Sequence, residues 1–299
     1  MKINIVWLRR DLRLDDNSSI DIAINQGLPI QFVFIFDEKI TDELPVADSR
    51  INFIYQTLGN LNQSLNKIGG SLLILKGNVN ECLQEIISKY QVDTIFANQD
   101  YEPYAIERDN SVDKLLKAKG VKFRLSKDQV IFEKDEIIKS DGNPYTVFTP
   151  YKKRWLEAFE HLKFNKKKSN IELVFKNNEH FPSIKEFGFS ESKVHVEPFN
   201  EHILDSYHKF RDYPWKETSN LSPYLRFGTM SIRQIIINYG KINDTFLSEL
   251  IWREFFMQIL FHFPEVVKSN FKQQYDKIIW RNNEYEFEVW CQGKTGYPM

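Results

Sequence analysis

The 299 residues, 42% hydrophobic and 27% charged, describe a globular chain with room for two domains and exclude an intrinsically disordered one. With 40 basic against 41 acidic side chains the net charge is -1, which excludes a global pull toward nucleic acid, so any DNA contact has to come from a local patch. Cys82 and Cys291 match no metal-ligand spacing and predict free thiols in a reducing compartment; with no signal core and no apolar run of spanning length, a cytoplasmic protein without membrane contact is expected.

In chain order, Ile3 to Leu8, Ile30 to Phe36, Leu72 to Leu75, Thr94 to Ala97 and Val121 to Leu125 read as short buried strands. Between them Arg50 to Ile68, Val79 to Tyr90 and Glu107 to Lys119 carry apolar residues at helical spacing, and Gly69-Gly70 and Gly120 stand where helices should stop. This alternation predicts an α/β domain over 1–130, a doubly wound parallel sheet of the Rossmann-like kind. Ligands in such a sheet bind beyond the carboxyl ends of the strands, which directs attention to WLRRDLRLDDN, FDEKITDELP and ANQDYEPYAIERD. A GxGxxG fingerprint is absent from the first turn, which argues against a nicotinamide dehydrogenase.

Residues 131–200 lose the rhythm and read as a long interdomain linker with a Lys-rich stretch at Lys163 to Asn170. Helix formers dominate 201–299, with Ser231 to Tyr239 and Asp244 to His262 strongly helical and Asn243-Asp244 as a cap for the second. The terminal QGKTGYPM closes no helical layer, so the helical domain is expected to be incomplete and the chain to continue in the intact gene product.

Three constellations carry chemistry. TSNLSPYLRFG, Thr218 to Gly228, gathers hydroxyls ahead of a helix and reads either as an anion nest or as an ordinary cap. Glu249, Trp252 and Arg253 fall three and four residues apart on one helix; they suit stacking and edge-bonding of a flipped base, or equally a buried Trp beside an intrahelical ion pair. Lys152, Lys153, Arg154, Lys163 and Lys166 to Lys168 either follow a phosphate backbone or keep a linker soluble, and Arg226, Arg233 and Arg253 are the better phosphate candidates.

LRRDLRLDDN, TVFTPYKKRW, TSNLSPYLRFG, ELIWREFF and WCQGKTGYP stand in the order found in the DNA photolyase and cryptochrome family, and the chain most resembles the microbial enzymes that repair cyclobutane pyrimidine dimers. That resemblance implies an antenna domain, a linker and a helical domain holding FAD, acting as a carbon-carbon lyase on UV-damaged DNA, as a monomer. It implies FAD contacts at Tyr207, Thr218, Ser219, Asn220, Leu221 and Ser222, with Phe246 replacing a Trp beside the flavin. Glu249 and Trp252 match residues that meet the damaged bases, Arg211 a DNA-contacting arginine, Arg253 and Phe256 the DNA-facing segment, and Trp280 the outermost tryptophan of the flavin-reducing relay. Glu102 matches a carboxylate contacting a folate antenna such as methenyltetrahydrofolate, in a family that uses other antenna pigments too. The Asn at the reactive flavin edge and the inner relay tryptophans that the family carries after GKTGYP have no counterpart here. Two alternatives follow: a cryptochrome-type blue-light receptor, or an inactive fragment retaining an antenna or nucleotide-binding module.

Overall fold

A computed structural model describes residues 1–162 and 171–297, which form two compact units, 1–262 and 263–299. Strands β1 (Ile3–Leu8), β2 (Ile30–Asp37), β3 (Leu72–Gly77), β4 (Val92–Asn98) and β5 (Lys122–Ser126) make one parallel sheet in the order β3-β2-β1-β4-β5. The expected strands are all present, each within about two residues of its expected bounds.

Alternation of side chains explains why β1 and β2 read as continuous apolar runs. Val6, Leu8, Phe32, Phe34 and Phe36 point into one core, while Ile5, Trp7, Val33 and Ile35 point into the other. Helix α1 (Ser18–Ile24) follows β1, and α2 (Glu38–Thr41) and α3 (Ser49–Asn66) follow β2. Helix α3 buries Ile51, Leu58, Leu61 and Leu65 against the first core, and starts where the Asp48 carboxylate accepts from the Arg50 N-H at 2.8 Å. Helices α4 (Val79–Lys89) and α5 (Pro103–Ala118) cover the opposite face through Leu83, Ile86, Val112 and Leu116.

The expected linker is not structureless. TVFTPYKKRW opens α6 (Phe148–Glu160), whose Tyr151 and Trp155 are fully buried, and Val174 pairs with Ile30 beside the sheet. Aromatic residues three to four apart form this helix, and its Pro150 falls in the first turn where no N-H is needed. Helices α7 (Tyr207–Phe210), α8 (Ser222–Arg226), α9 (Ile232–Tyr239) and α10 (Asp244–His262) build a third core with α6 around Trp155, Ile235, Phe246, Ile251 and Phe255. Asn243 caps α10 as expected, its side-chain oxygen accepting from Thr245 and Phe246 N-H groups at 3.0 and 3.2 Å.

Two buried carboxylates tie the helices to the rest of this unit. Asp128 accepts from Arg13 at 2.7 Å and from Arg233 at 2.8 Å. Burial works to raise its pKa, and the two guanidiniums outweigh that and hold it below its ordinary value. Arg233 also bonds Asp16, so it is spent on structure and is not free for the phosphate assigned to it by sequence. Glu254 instead accepts from the Trp155 indole N-H at 2.6 Å and from the Ile131 and Phe132 backbone N-H groups at 2.6 and 3.0 Å. Burial pushes this carboxyl up to about 7 despite those donors. Gly228, at φ +64, presses so closely on the β1 loop that a Cβ would lie 2.0 Å from the Arg10 carbonyl oxygen, and glycine is required there.

The second unit holds two 3₁₀ turns and helix α11 (Glu284–Cys291), with Trp280 between them and 69% exposed. Among the described residues no helix is long and apolar enough to cross a membrane, and Cys82 and Cys291 are both free.

Candidate functional site: two cavities sharing an ionic wall

The three loops singled out at the carboxyl ends of β1, β2 and β4 meet around one cavity of about 640 Å³. Its walls include Trp7, Phe34, Phe36, Asp37, Tyr104 and Arg108, with α3 opposite. Arg9 and Arg108 lie over the Trp7 ring at 4.7 and 5.0 Å, and both pair with Asp109. The Tyr104 hydroxyl donates to Asp37 at 2.5 Å.

A second cavity, about 520 Å³, lies between α8, α10 and the chain after β4. It is lined by Tyr207, Ser219, Leu221, Ser222, Phe246, Glu249, Arg253 and Phe256, which brings together most of the residues expected at the flavin and the damage. Asn220 sits in the left-handed region at φ 54, a conformation asparagine tolerates, and its side chain bonds the Pro198 carbonyl at 3.3 Å. That turn sets Ser219 and Ser222 on the cavity wall. Among the described residues the Ser219 and Ser222 hydroxyls have no hydrogen-bond partner, so their capacity is open to a ligand, whereas Thr218, likewise without one, lines a neighbouring cavity. Tyr207 meets Phe246 edge-on at 5.5 Å, giving the cavity an aromatic side.

The face expected to unite Glu249, Trp252 and Arg253 divides. Glu249 and Arg253 line the cavity, whereas Trp252 turns to α6 and stacks on Phe148 at 3.6 Å and 8°. It also meets Phe255 edge-on at 5.5 Å and Phe256, 59% exposed, at 5.3 Å and 21°. No intrahelical Glu249–Arg253 pair forms, because Glu249 pairs with Arg211 and Arg253 donates to the Gln129 and Leu225 carbonyls at 2.7 and 3.4 Å. Arg253 has no carboxylate in ion-pair contact among the described residues, and burial lowers its pKa to about 10. Its guanidinium therefore lines the cavity with its hydrogen bonds on backbone carbonyls, Glu254 acting on it through space alone, and any DNA contact it makes passes through that cavity.

The two cavities share Arg10, Asp100, Glu102, Ser222 and Arg226. Glu102 accepts from Arg10 at 2.6 Å and from Arg226 at 2.9 Å, both on one oxygen. Burial works to raise the Glu102 carboxyl, and the charges of Arg10 and then Arg226 bring it below its ordinary value. The sequence singled out Glu102 but not its pairing with Arg10 and Arg226, which lie 92 and 124 positions away. Glu254, a lone carboxylate inside the apolar run FFMQILF and its flanks, was a signal of a buried acceptor. Trp280 belongs to the second compact unit, and the Lys163 and Lys166 to Lys168 stretch lies outside the described residues.

An open set of hydroxyls, a guanidinium that bonds no carboxylate and aromatic walls suit a planar aromatic ligand that carries phosphate. The comparisons agree with that chemistry. Residues 4–171, more than half of the chain, match the model for DNA photolyase. The chain belongs to the DNA photolyase family. Residues 246–299 match the FAD binding domain of DNA photolyase. A deoxyribodipyrimidine photo-lyase of Agrobacterium fabrum is 30% identical, covering 99% of this chain and 67% of its own length. One of Synechococcus sp. is 29% identical, covering 99% and 68%. The crystal structure of an archaeal photolyase from Sulfolobus tokodaii with two FAD molecules superposes with a TM-score of 0.83 at 28% identity, covering all of this chain and 68% of that one. The chain thus spans about two thirds of the length of each.

Proposed function

We infer that this chain acts as a deoxyribodipyrimidine photo-lyase, splitting cyclobutane pyrimidine dimers in UV-damaged DNA with FAD as cofactor. The observation that carries the reading is the α10 cavity, where the unpartnered hydroxyls of Ser219 and Ser222 and the Arg253 guanidinium stand beside Tyr207 and Phe246. FAD, when bound, supplies the light-driven electron that opens the cyclobutane ring. The pyrophosphate falls to Thr218, Ser219, Asn220, Leu221 and Ser222 with Arg253 as its cation, and Tyr207 and Phe246 pack the rings.

The protein's own share is binding, orientation and charge. Glu249 stands at the cavity lining, where its carboxylate accepts from the N-H donors of the base edges, and the Arg211 guanidinium paired to it offsets its charge beside the dimer. Trp252 is the stacking ring, and the exposed Phe256 is the neighbour a dimer displaces to reach it. Arg211 orders Glu249 as well as meeting the DNA. Trp280 keeps the role of outermost tryptophan of the flavin-reducing relay that the resemblance gives it. Retention of Glu249 and Trp252 together favours repair over cryptochrome-type signalling.

The sheet-edge cavity is assigned to the antenna chromophore. Glu102 keeps one carboxylate oxygen free of its two arginines, which suits the amino and amide donors of a folate such as methenyltetrahydrofolate. We take 1–130 as the antenna domain, 131–200 as the connection and 201–299 as the FAD-binding part, in a cytoplasmic monomer. The test is the visible spectrum of the chain after incubation with FAD and removal of unbound cofactor. Retained flavin bands that vanish in a variant with Ser222→Trp are expected, and colourless wild-type protein would overturn the assignment.

A further inference from the structure

A third cavity, about 370 Å³, shares Tyr207 with the α10 cavity, and its Trp215 and Lys216 have no role so far. It is bounded by α7 and the turn that follows, with Tyr207, Phe210, Arg211, Trp215 and Lys216 in its wall. The turn is built rather than loose: the Arg211 N-H bonds the Tyr207 carbonyl, Tyr213 bonds Phe210 and Lys216 bonds Tyr213, each at 3.0 Å. On that turn Trp215 stands 75% exposed, with Tyr213 edge-on at 5.2 Å. Phe210 and Tyr213 are 40% and 46% exposed, so three aromatic residues face water within six positions. A single exposed ring needs no explanation, but a fixed cluster bordering a cavity is a contact surface.

Its position and charge select the occupant. Tyr207 lines both this cavity and the α10 cavity, and Arg211, in the wall of one, is ion-paired to Glu249 in the lining of the other. Arg211 is also held by Asp212 at 3.1 Å, so two carboxylates share its charge where it meets the DNA. Glu217, the carboxylate in this wall, accepts from Asn200 at 3.4 Å. Lys216, over the Phe210 ring at 5.4 Å, has no carboxylate partner among the described residues and is the cation left for a ligand. A stacking ring beside a lone ammonium, next to the place a lesion enters, fits one nucleotide.

We propose that this cavity is a subsite for the undamaged nucleotide adjoining the dimer on the same strand, its base stacked on Trp215 and its phosphate at Lys216. The proposal rests on the repair reading for the word dimer and on the cavity itself for the nucleotide. Stacking on an aromatic ring accepts any base, so the subsite adds affinity without sequence preference.

The experiment is fluorescence anisotropy of the full chain on a single-stranded oligonucleotide with one thymine dimer, on its undamaged counterpart, and on a dimer strand made abasic on both flanks. Trp215→Ala should weaken binding to the dimer strand by roughly 10-fold, Trp215→Phe should restore most of it, and the abasic strand should bind wild type and Trp215→Ala alike. Lys216→Ala should lower the dependence on salt by about one ion. Preference for the damaged strand with no response to Trp215→Ala would overturn the subsite and leave the repair reading standing. Equal binding of damaged and undamaged strands, still lost with Trp215→Ala, would support the subsite and sink the repair reading.

Discussion

The sheet-edge cavity and the α10 cavity share a wall yet treat charge in opposite ways. Around the first, Arg9, Arg10, Arg50, Arg108 and Arg226 are each paired with a carboxylate. In the second, Arg253 holds only backbone carbonyls, and the serine hydroxyls hold nothing. A cavity whose cations are already answered can take a neutral aromatic ligand or leave it out. One whose guanidinium bonds no carboxylate is stabilised further when an anion binds. On the proposed reading, the difference separates the cavity of the required cofactor from that of an added pigment.

The most disruptive change is to remove the ionic node that ties α9 to the chain after β1. Asp128→Asn leaves Arg13 and Arg233 without their shared carboxylate and should cost about 3–5 kcal/mol, read as a lower urea midpoint. Because the folded Asp128 pKa is depressed, its contribution is present above the ordinary value of 3.8 and is lost as pH falls below it. Arg253→Met addresses the α10 cavity alone. It should weaken FAD retention by about 2–5 kcal/mol while binding of a pigment in the sheet-edge cavity is unchanged; equal losses at both would erase the distinction.

Glu254→Gln sharpens the contrast through pH. The folded carboxyl titrates at about 7 against an ordinary 4.5, so its contribution is full below 4.5 and declines as pH rises through 7, opposite in sense to Asp128. Wild type should therefore gain on the variant by up to about 3 kcal/mol as pH falls from 7 to 4.5, and parallel stability curves would contradict the buried-acid reading. Trp252→Ala should be the mildest, weakening damaged-strand binding by about 1–3 kcal/mol with flavin retention intact. Loss of flavin in that variant would place Trp252 in the cofactor site instead.

The sheet was legible because a parallel strand buried on both faces has an unmistakable apolar run, as in IQFVFIFD. Its ligand loops were legible for a topological reason, since the carboxyl ends of β1, β2 and β4 must lie together. Helix α6 was not, because its Phe148, Tyr151 and Trp155 are placed by contacts with α10 and local propensity for them is modest. The site residues on α8 and α10 were readable as motifs, but the side-chain directions were not. Spacing puts Trp252 near Glu249, and only packing against Phe148 turns it away. The ionic wall at Glu102 joins residues about 90 and 124 positions apart, a distance at which one sequence holds no pairing signal.

The most direct test of the central claim is repair itself. The full chain, loaded with FAD and reduced, is mixed with an oligonucleotide carrying one thymine dimer and exposed to blue light, and the dimer is followed by its rising absorbance at the thymine band. The account predicts light-dependent restoration of both thymines, abolished by Arg253→Met through loss of flavin and slowed by Trp252→Ala through weaker binding. A flavin-loaded chain that binds the damaged strand yet leaves the dimer intact under light would contradict it.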